Sequence, residues 1–103
     1  MVLAEKMGLD KENALSLIER SSGQNWIGTD RLRRVFAGDT NIGSHMRLLA
    51  KDTRLAMEAA QEVGFDGWLG GLTAKAFNDA CAQGMTDMDD SKMLEFIRQA
   101  DKA

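Results

Sequence analysis

The longest helical pattern in the chain is Ser44-His45-Met46-Arg47-Leu48-Leu49-Ala50-Lys51-Asp52-Thr53-Arg54-Leu55-Ala56-Met57-Glu58-Ala59-Ala60-Gln61-Glu62-Val63, closed by Gly64. Good helix formers dominate it. At 100° per residue, Leu48, Leu49, Leu55, Ala56, Ala59 and Val63 fall in one stripe. Asp52 falls at the centre of that stripe, about 40° from Leu48 and from Ala56. Lys51 lies about 100° from Asp52, on the border, where a long stem can pack while its ammonium reaches outward. A carboxylate on a core-facing line is costly unless it is paired or hydrogen-bonded. Asp52 therefore has two readings. It either caps a neighbouring helix or turn, such as Ser21-Ser22-Gly23, or it belongs to a binding site. The structural fate is the commoner one for a buried carboxylate. A lone lysine such as Lys51 is most often a solvated surface group.

Working outward, the chain reads as helices separated by turns. Proline is absent and glycine punctuates. The spacing predicts helices over Val2–Met7 (closed by Gly8), Lys11–Arg20 (capped by Asp10), Trp26–Phe36, Ser44–Val63, Leu69–Gln83 (closed by Gly84) and Asp90–Ala100. Ser21-Ser22-Gly23-Gln24 and Gly38-Asp39-Thr40-Asn41 are loops. Gly70 and Gly71 weaken the first turn of the fifth helix. Met88-Asp89-Asp90-Ser91 places acidic groups where the dipole of the sixth helix favours them. No run alternates as a strand would. The expectation is an all-α chain, a single compact domain of five to six helices over residues 1–103.

At 103 residues and 11.3 kDa the chain has one domain's length. By ordinary scaling about two-thirds of the unfolded surface can be buried, enough for a core without staples. It is 44% hydrophobic and 28% charged, a globular balance. No apolar run approaches a membrane span, and Met1-Val2-Leu3-Ala4-Glu5-Lys6 lacks the pattern of a secretory signal. The single cysteine, Cys81, excludes an intrachain disulfide and suits a reducing compartment, hence the cytoplasm. One histidine and one cysteine are too few for a zinc site, so no metal is expected. A net charge of −3 counts against a nucleic-acid partner. Neither G-x-G-x-x-G nor a P-loop is present, and no Ser-His-Asp, Cys-His or paired-carboxylate set is legible.

His45 lies one to two turns before Asp52 on the apolar side and reads as a packed residue. Trp26 reads first as core. Trp68, within Asp66-Gly67-Trp68-Leu69-Gly70-Gly71, is either an interface residue or a hydrophobic plug. Arg31, Arg33 and Arg34 read as a solvated face. The seven methionines suggest a forgiving core, and Cys81 a small buried residue.

Four stretches, taken in order, carry a resemblance. They are Leu3-Ala4-Glu5-Lys6-Met7-Gly8-Leu9-Asp10, Ser22-Gly23-Gln24-Asn25-Trp26, Lys51-Asp52-Thr53-Arg54-Leu55-Ala56 and Asp90-Ser91. Together they resemble the C-terminal helical domain of the β-hydroxyacid dehydrogenases. That family includes 3-hydroxyisobutyrate dehydrogenase and tartronate semialdehyde reductase, and is related to 6-phosphogluconate dehydrogenase. The stretches look like the end of the family's interdomain helix, its Ser-Gly-x-Ser-Trp turn, its Lys-Asp-Leu-x-x-Ala signature and the Asp-x-Ser start of its last helix.

The resemblance implies a division of labour. An N-terminal Rossmann domain, absent from these 103 residues, would bind NAD or NADP. The helical domain would close the cleft over nicotinamide and a small 3-hydroxyacid, and aid oligomerisation. Lys51 would reach the cofactor region and Asp52 would support the local structure. Trp26, Ser44, His45 and Leu48 are candidate cleft-lining residues. The motif that carries the family's catalytic lysine is missing, so no catalytic residue is assigned. The chain alone is expected to be inactive and to bind no cofactor strongly. Its expected partners are the Rossmann domain, a second copy of itself and the hydroxyacid. Three positions depart from the pattern. Ser44 replaces an aromatic seven residues before the lysine, Thr53 replaces the signature leucine, and Gly70-Gly71 replaces a Pro-Leu start. The alternative is a stand-alone helical dimerisation or protein-interaction module without catalytic activity. A small DNA-binding protein built on the arginine helix fits the acidic balance poorly.

Overall fold

Six helices, α1 to α6, carry the chain in a computed structural model that describes residues 1–102. Among the described residues no strand forms, and the all-α expectation holds. The helices are α1 (Val2–Lys6), α2 (Lys11–Glu19), α3 (Trp26–Phe36), α4 (Met46–Glu62), α5 (Gly70–Ala80) and α6 (Met93–Asp101). A wide turn over Cys81–Met85 follows α5, and a short 3-10 turn over Asp90–Lys92 leads into α6. No helix among the described residues is long and apolar enough to cross a membrane. The residues gather into two compact units, Met1–Asn41 with the chain from Leu94 onward, and Ile42–Met93.

In the first unit, α1 packs on α2 and α2 on α3. Asp10 caps α2 by accepting the Asn13 amide at 2.9 Å, as its position predicts. Asn25 caps α3 by accepting the Gly28 amide at 2.7 Å. Leu15 and Phe96 are buried. The arginine helix is not a solvated face. Arg33 donates to Glu12 at 2.7 Å, to Glu19 through Nε and Nη2, and to Ser16 Oγ at 3.3 Å, tying α3 to α2. Arg31 pairs with Asp30 at 2.5 Å, and Arg34 pairs with the same carboxylate at 3.4 Å. Hydrogen bonds from these guanidinium groups hold the Glu19 and Asp30 carboxyls below the usual range. Arg98 forks onto both oxygens of Glu5 and lowers that carboxyl likewise. The arginines are thus spent internally, because each faces a carboxylate within reach.

In the second unit α4 and α5 pack as a hairpin. The start of α5 meets the later part of α4, since a Cβ on Gly70 would stand 2.5 Å from Met57 Sδ. A side chain at Gly70 would have to displace the end of Met57. The chain after α5 returns to the start of α4: Met46 donates its amide to the Met88 carbonyl at 2.8 Å and Arg47 to Thr86 at 3.2 Å. The two helices are therefore antiparallel. Gly84, at φ +91°, breaks α5 before that return and is a position only glycine fills without strain. Met46, Ala50, Ala74, Ala80 and Met85 form the buried core.

The core line of α4 corrects the wheel reading. Buried and half-buried residues run Met46, Leu49, Ala50, Thr53, Met57 and Ala60, so that of the expected stripe only Leu49 faces inward, while Leu48, Asp52, Leu55, Ala56, Ala59 and Val63 are exposed. The helix carries two apolar stripes on nearly opposite sides. The stripe that holds Ala50 and Ala60 is the one that faces inward where α4 packs on α5. Trp26 is 75% exposed and is not core. Trp68, 95% exposed, is not a plug. Among the methionines, Met46 and Met85 are buried, whereas Met7 and Met88 are exposed. Cys81 is half-buried at the end of α5.

Candidate cofactor-facing site

Ser44, His45, Leu48, Lys51 and Asp52 all lie at the start of α4 in the second unit. Trp26 belongs to the first unit, where it opens α3. The structure thus brings together all but one of the expected site residues within one unit. The segment that enters α4 is anchored by Asp89, which the sequence placed only among the acidic residues before the sixth helix. Asp89 is 7% exposed. Its Oδ1 accepts the amides of Gly43 at 2.7 Å and Ser44 at 3.3 Å. Its Oδ2 accepts the Ser91 amide at 3.1 Å and the Ser91 hydroxyl. One carboxylate therefore staples the entrance of α4 to the turn before α6. Burial pushes its carboxyl up, but the Ser91 hydroxyl and the Gly43, Ser44 and Ser91 amides outweigh this and hold it far below the usual carboxylate range.

Backbone bonds complete the staple. Asp90 donates its amide to the Ser44 carbonyl at 2.8 Å, and His45 pairs with Asp89 in an isolated antiparallel bridge. The signal was present in sequence: an aspartate two residues before a serine at a helix start is a local capping pattern. The capping carboxylate is Asp89 rather than Asp90.

The staple has an electrostatic consequence. The first amides of a helix ordinarily stand open and attract anions. Here Met46 and Arg47 give theirs to carbonyls, and the Leu48 amide bonds the His45 carbonyl at 2.9 Å. Arg47 itself pairs with Asp87. The start of α4 is thus no phosphate cradle. His45, half-buried, precedes the helix and makes no side-chain cap.

Beyond the staple, α4 presents Leu48, Lys51, Asp52 and Leu55 on its outward side. Lys51 Nζ stands 3.5 Å from Asp52 Oδ1, and both side chains are more than half exposed. Such a pair is screened and adds little stability. The lysine can leave it for another anion at small cost, and its neighbours offer an apolar wall. Asp52 is accordingly a surface partner of Lys51 rather than a core carboxylate. Among the described residues no cluster of three or more His, Cys, Asp or Glu could hold a metal ion.

Comparison with known proteins adds a separate line. A family model described as NAD-binding of NADP-dependent 3-hydroxyisobutyrate dehydrogenase matches residues 1–97. L-threonate dehydrogenase of Haemophilus influenzae is 25% identical over 97 residues, covering 94% of this chain and 32% of that protein. L-threonate dehydrogenase of Escherichia coli matches to the same extent. The chain thus spans about a third of the length of the curated relatives it matches. Among solved structures, 3-hydroxyisobutyrate dehydrogenase of Mycobacterium tuberculosis with L-serine superposes at a TM-score of 0.82. It shares 27% identity, over 94% of this chain and 35% of that one. The Salmonella typhimurium 3-hydroxyisobutyrate dehydrogenase superposes at 0.83 with 24% identity, over 90% of this chain and 33% of that one, a likeness of fold.

Proposed function

We propose a function from one premise: the chain belongs to the family described as NAD-binding of NADP-dependent 3-hydroxyisobutyrate dehydrogenase. It serves as the helical C-terminal part of an NAD(P)-dependent oxidoreductase acting on a small 3-hydroxyacid, working against a nucleotide-binding partner domain. The observation that carries this is the outward side of α4, where a poorly held lysine sits between two exposed leucines. That side fits the nicotinamide end of a dinucleotide. It does not fit the phosphates, because the amides at the start of α4 are already spent. The dinucleotide, when bound, supplies the hydride chemistry.

This chain's own residues do the rest. Lys51 offers a mobile cation to the anionic cofactor or to the substrate carboxylate. Asp52, at the neighbouring position, pairs only loosely with Lys51 and leaves it free to meet that anion. Leu48 and Leu55 exclude water, which strengthens charge interactions inside. Ser44 and His45, anchored by Asp89, form the rim within the second unit. The setting is cytoplasmic, and the chain self-associates. The relatives are named for L-threonate or 3-hydroxyisobutyrate, and both compounds are small carboxylic acids with a hydroxyl on the third carbon.

Sequencing the coding DNA upstream of Met1 tests the reading. The expected result is an open frame running back on the order of 150 to 200 residues, with a G-x-G-x-x-G between a strand and a helix. A stop codon directly before Met1 would mean that the likeness records ancestry, not activity.

A further inference from the structure

The exposed tip between α4 and α5 carries Asp66-Gly67, an aspartate followed by the residue that least shields its own amide. Both residues are exposed and lie in irregular backbone. On either side the chain is held. Phe65 donates its amide to the Ala60 carbonyl at 2.9 Å, and the Leu69 carbonyl accepts the Thr73 amide at 3.0 Å and the Thr73 hydroxyl at 2.9 Å. Between those anchors, among the described residues, no hydrogen bond or ion pair engages the Asp66 carboxyl or the Gly67 amide. Glycine is required at this point: its φ is +61°, and a Cβ would stand 3.2 Å from the Phe65 ring. A side chain that would shield the amide is thus shut out.

We propose that Asp66-Gly67 is a site of spontaneous isoaspartate formation, and through it a substrate for a carboxyl methyltransferase that recognises isoaspartate. The Gly67 nitrogen attacks Cγ of the protonated Asp66 carboxyl. The N–Cγ bond forms, the bond from Cγ to its hydroxyl oxygen breaks, and one water leaves with the amide proton. Water then opens the cyclic imide. Cleavage at Cγ restores aspartate. Cleavage at the α-carbonyl leaves the chain running through Cγ, one methylene longer, with a free α-carboxylate to accept a methyl group. No oxidant or cofactor enters, and the mass is unchanged. Attack needs the nitrogen brought up to the carboxyl carbon, which a backbone free to turn reaches and a bonded amide does not. Two other aspartates precede small residues, and the fold locks both. Asp79-Ala80 lies inside α5, where the amides serve the helix ladder. At Asp90-Ser91 the aspartate is buried, and the Ser91 amide is given to Asp89 Oδ2 at 3.1 Å.

The test keeps the folded 103-residue chain, and the same chain unfolded in guanidinium chloride, for weeks in warm neutral buffer. Isoaspartyl methyltransferase with methyl-labelled S-adenosylmethionine then reads the tryptic peptides. Leu55–Lys75 holds Asp66 as its one aspartate, whereas Ala76–Lys92 holds Asp79 and Asp90 together with Asp87 and Asp89. Label should enter Leu55–Lys75 from the folded chain at a rate within about threefold of the unfolded one, as for a loop that opens at almost no cost. Label in Ala76–Lys92 should be at least about tenfold slower from the folded chain, because those amides are released only by rare opening. Asp66→Glu keeps the charge but would need a larger imide ring, so the Leu55–Lys75 label should vanish with the circular-dichroism spectrum unchanged. Protection of Leu55–Lys75 as strong as that of Ala76–Lys92 overturns the proposal. Equal rates in the two peptides of the folded chain, or a label that survives in Asp66→Glu, overturn it as well.

Discussion

Asp89 ties the entrance of α4 to the turn before α6. It accepts three backbone amides and one hydroxyl from segments more than forty residues apart in sequence. Removing a buried acceptor leaves those donors unsatisfied, so Asp89→Ala should lower stability by about 2–3 kcal/mol. Differential scanning calorimetry would read that as a drop on the order of 10 °C in Tm. The pH dependence follows from the sign of the shift. The folded carboxyl is held below its unfolded value, so its contribution is complete above about pH 4 and is lost as pH falls further. The gap in Tm between wild type and Asp89→Asn should therefore be widest at neutral pH and shrink in acid. A constant gap would show that the charge of Asp89 is not what stabilises the staple. Lys51 contrasts with it: exposed and loosely paired, it should be replaceable by alanine with no measurable change in Tm.

At the scale of the element, α4 is where sequence reading and structure part. Its length and position were legible to within two residues at its start and one at its end, and α3 to the residue, because caps and glycines mark them. Its core face was not legible. The larger leucines and the valine make the heavier stripe, and a wheel weighs bulk. Packing against a neighbouring helix instead favours small residues at the contact, and Ala50 on α4 and Ala74 on α5 are both buried. The two stripes are separable by mutation. Met46→Ala, at a fully buried site, should cost about 2–5 kcal/mol. Leu55→Ala, 47% exposed, should stay below about 1 kcal/mol. Urea melts of the two variants check this, and equal losses would return the core to the leucine stripe. The arginine helix was misread for a related reason. Its partners Glu12 and Glu19 lie on α2, and the pairing of two helices is not written in the spacing of either one.

At the scale of the whole molecule, the chain supplies a helical fold, a stapled entrance to α4 and an exposed lysine beside it, and its relatives are about three times as long. The 103 residues carry no dinucleotide fingerprint, so the chain by itself should oxidise no NAD(P)H above the buffer rate with tartronate semialdehyde. A clear rate in that spectrophotometric assay would give this chain a whole site of its own. Family and architecture were readable because four short motifs stand in the right order. The staple, the outward side of α4 and the exposed tip were not, since each depends on which residues meet across the fold.

The most direct test is steady-state kinetics of the full-length protein that contains this chain, wild type against Lys51→Ala. If Lys51 meets the cofactor, KM for NAD(P) should rise at least about tenfold, the loss of a charged hydrogen bond of about 1.5–3 kcal/mol, with an unchanged melting temperature. An unchanged KM and kcat in a folded Lys51→Ala enzyme would contradict the account.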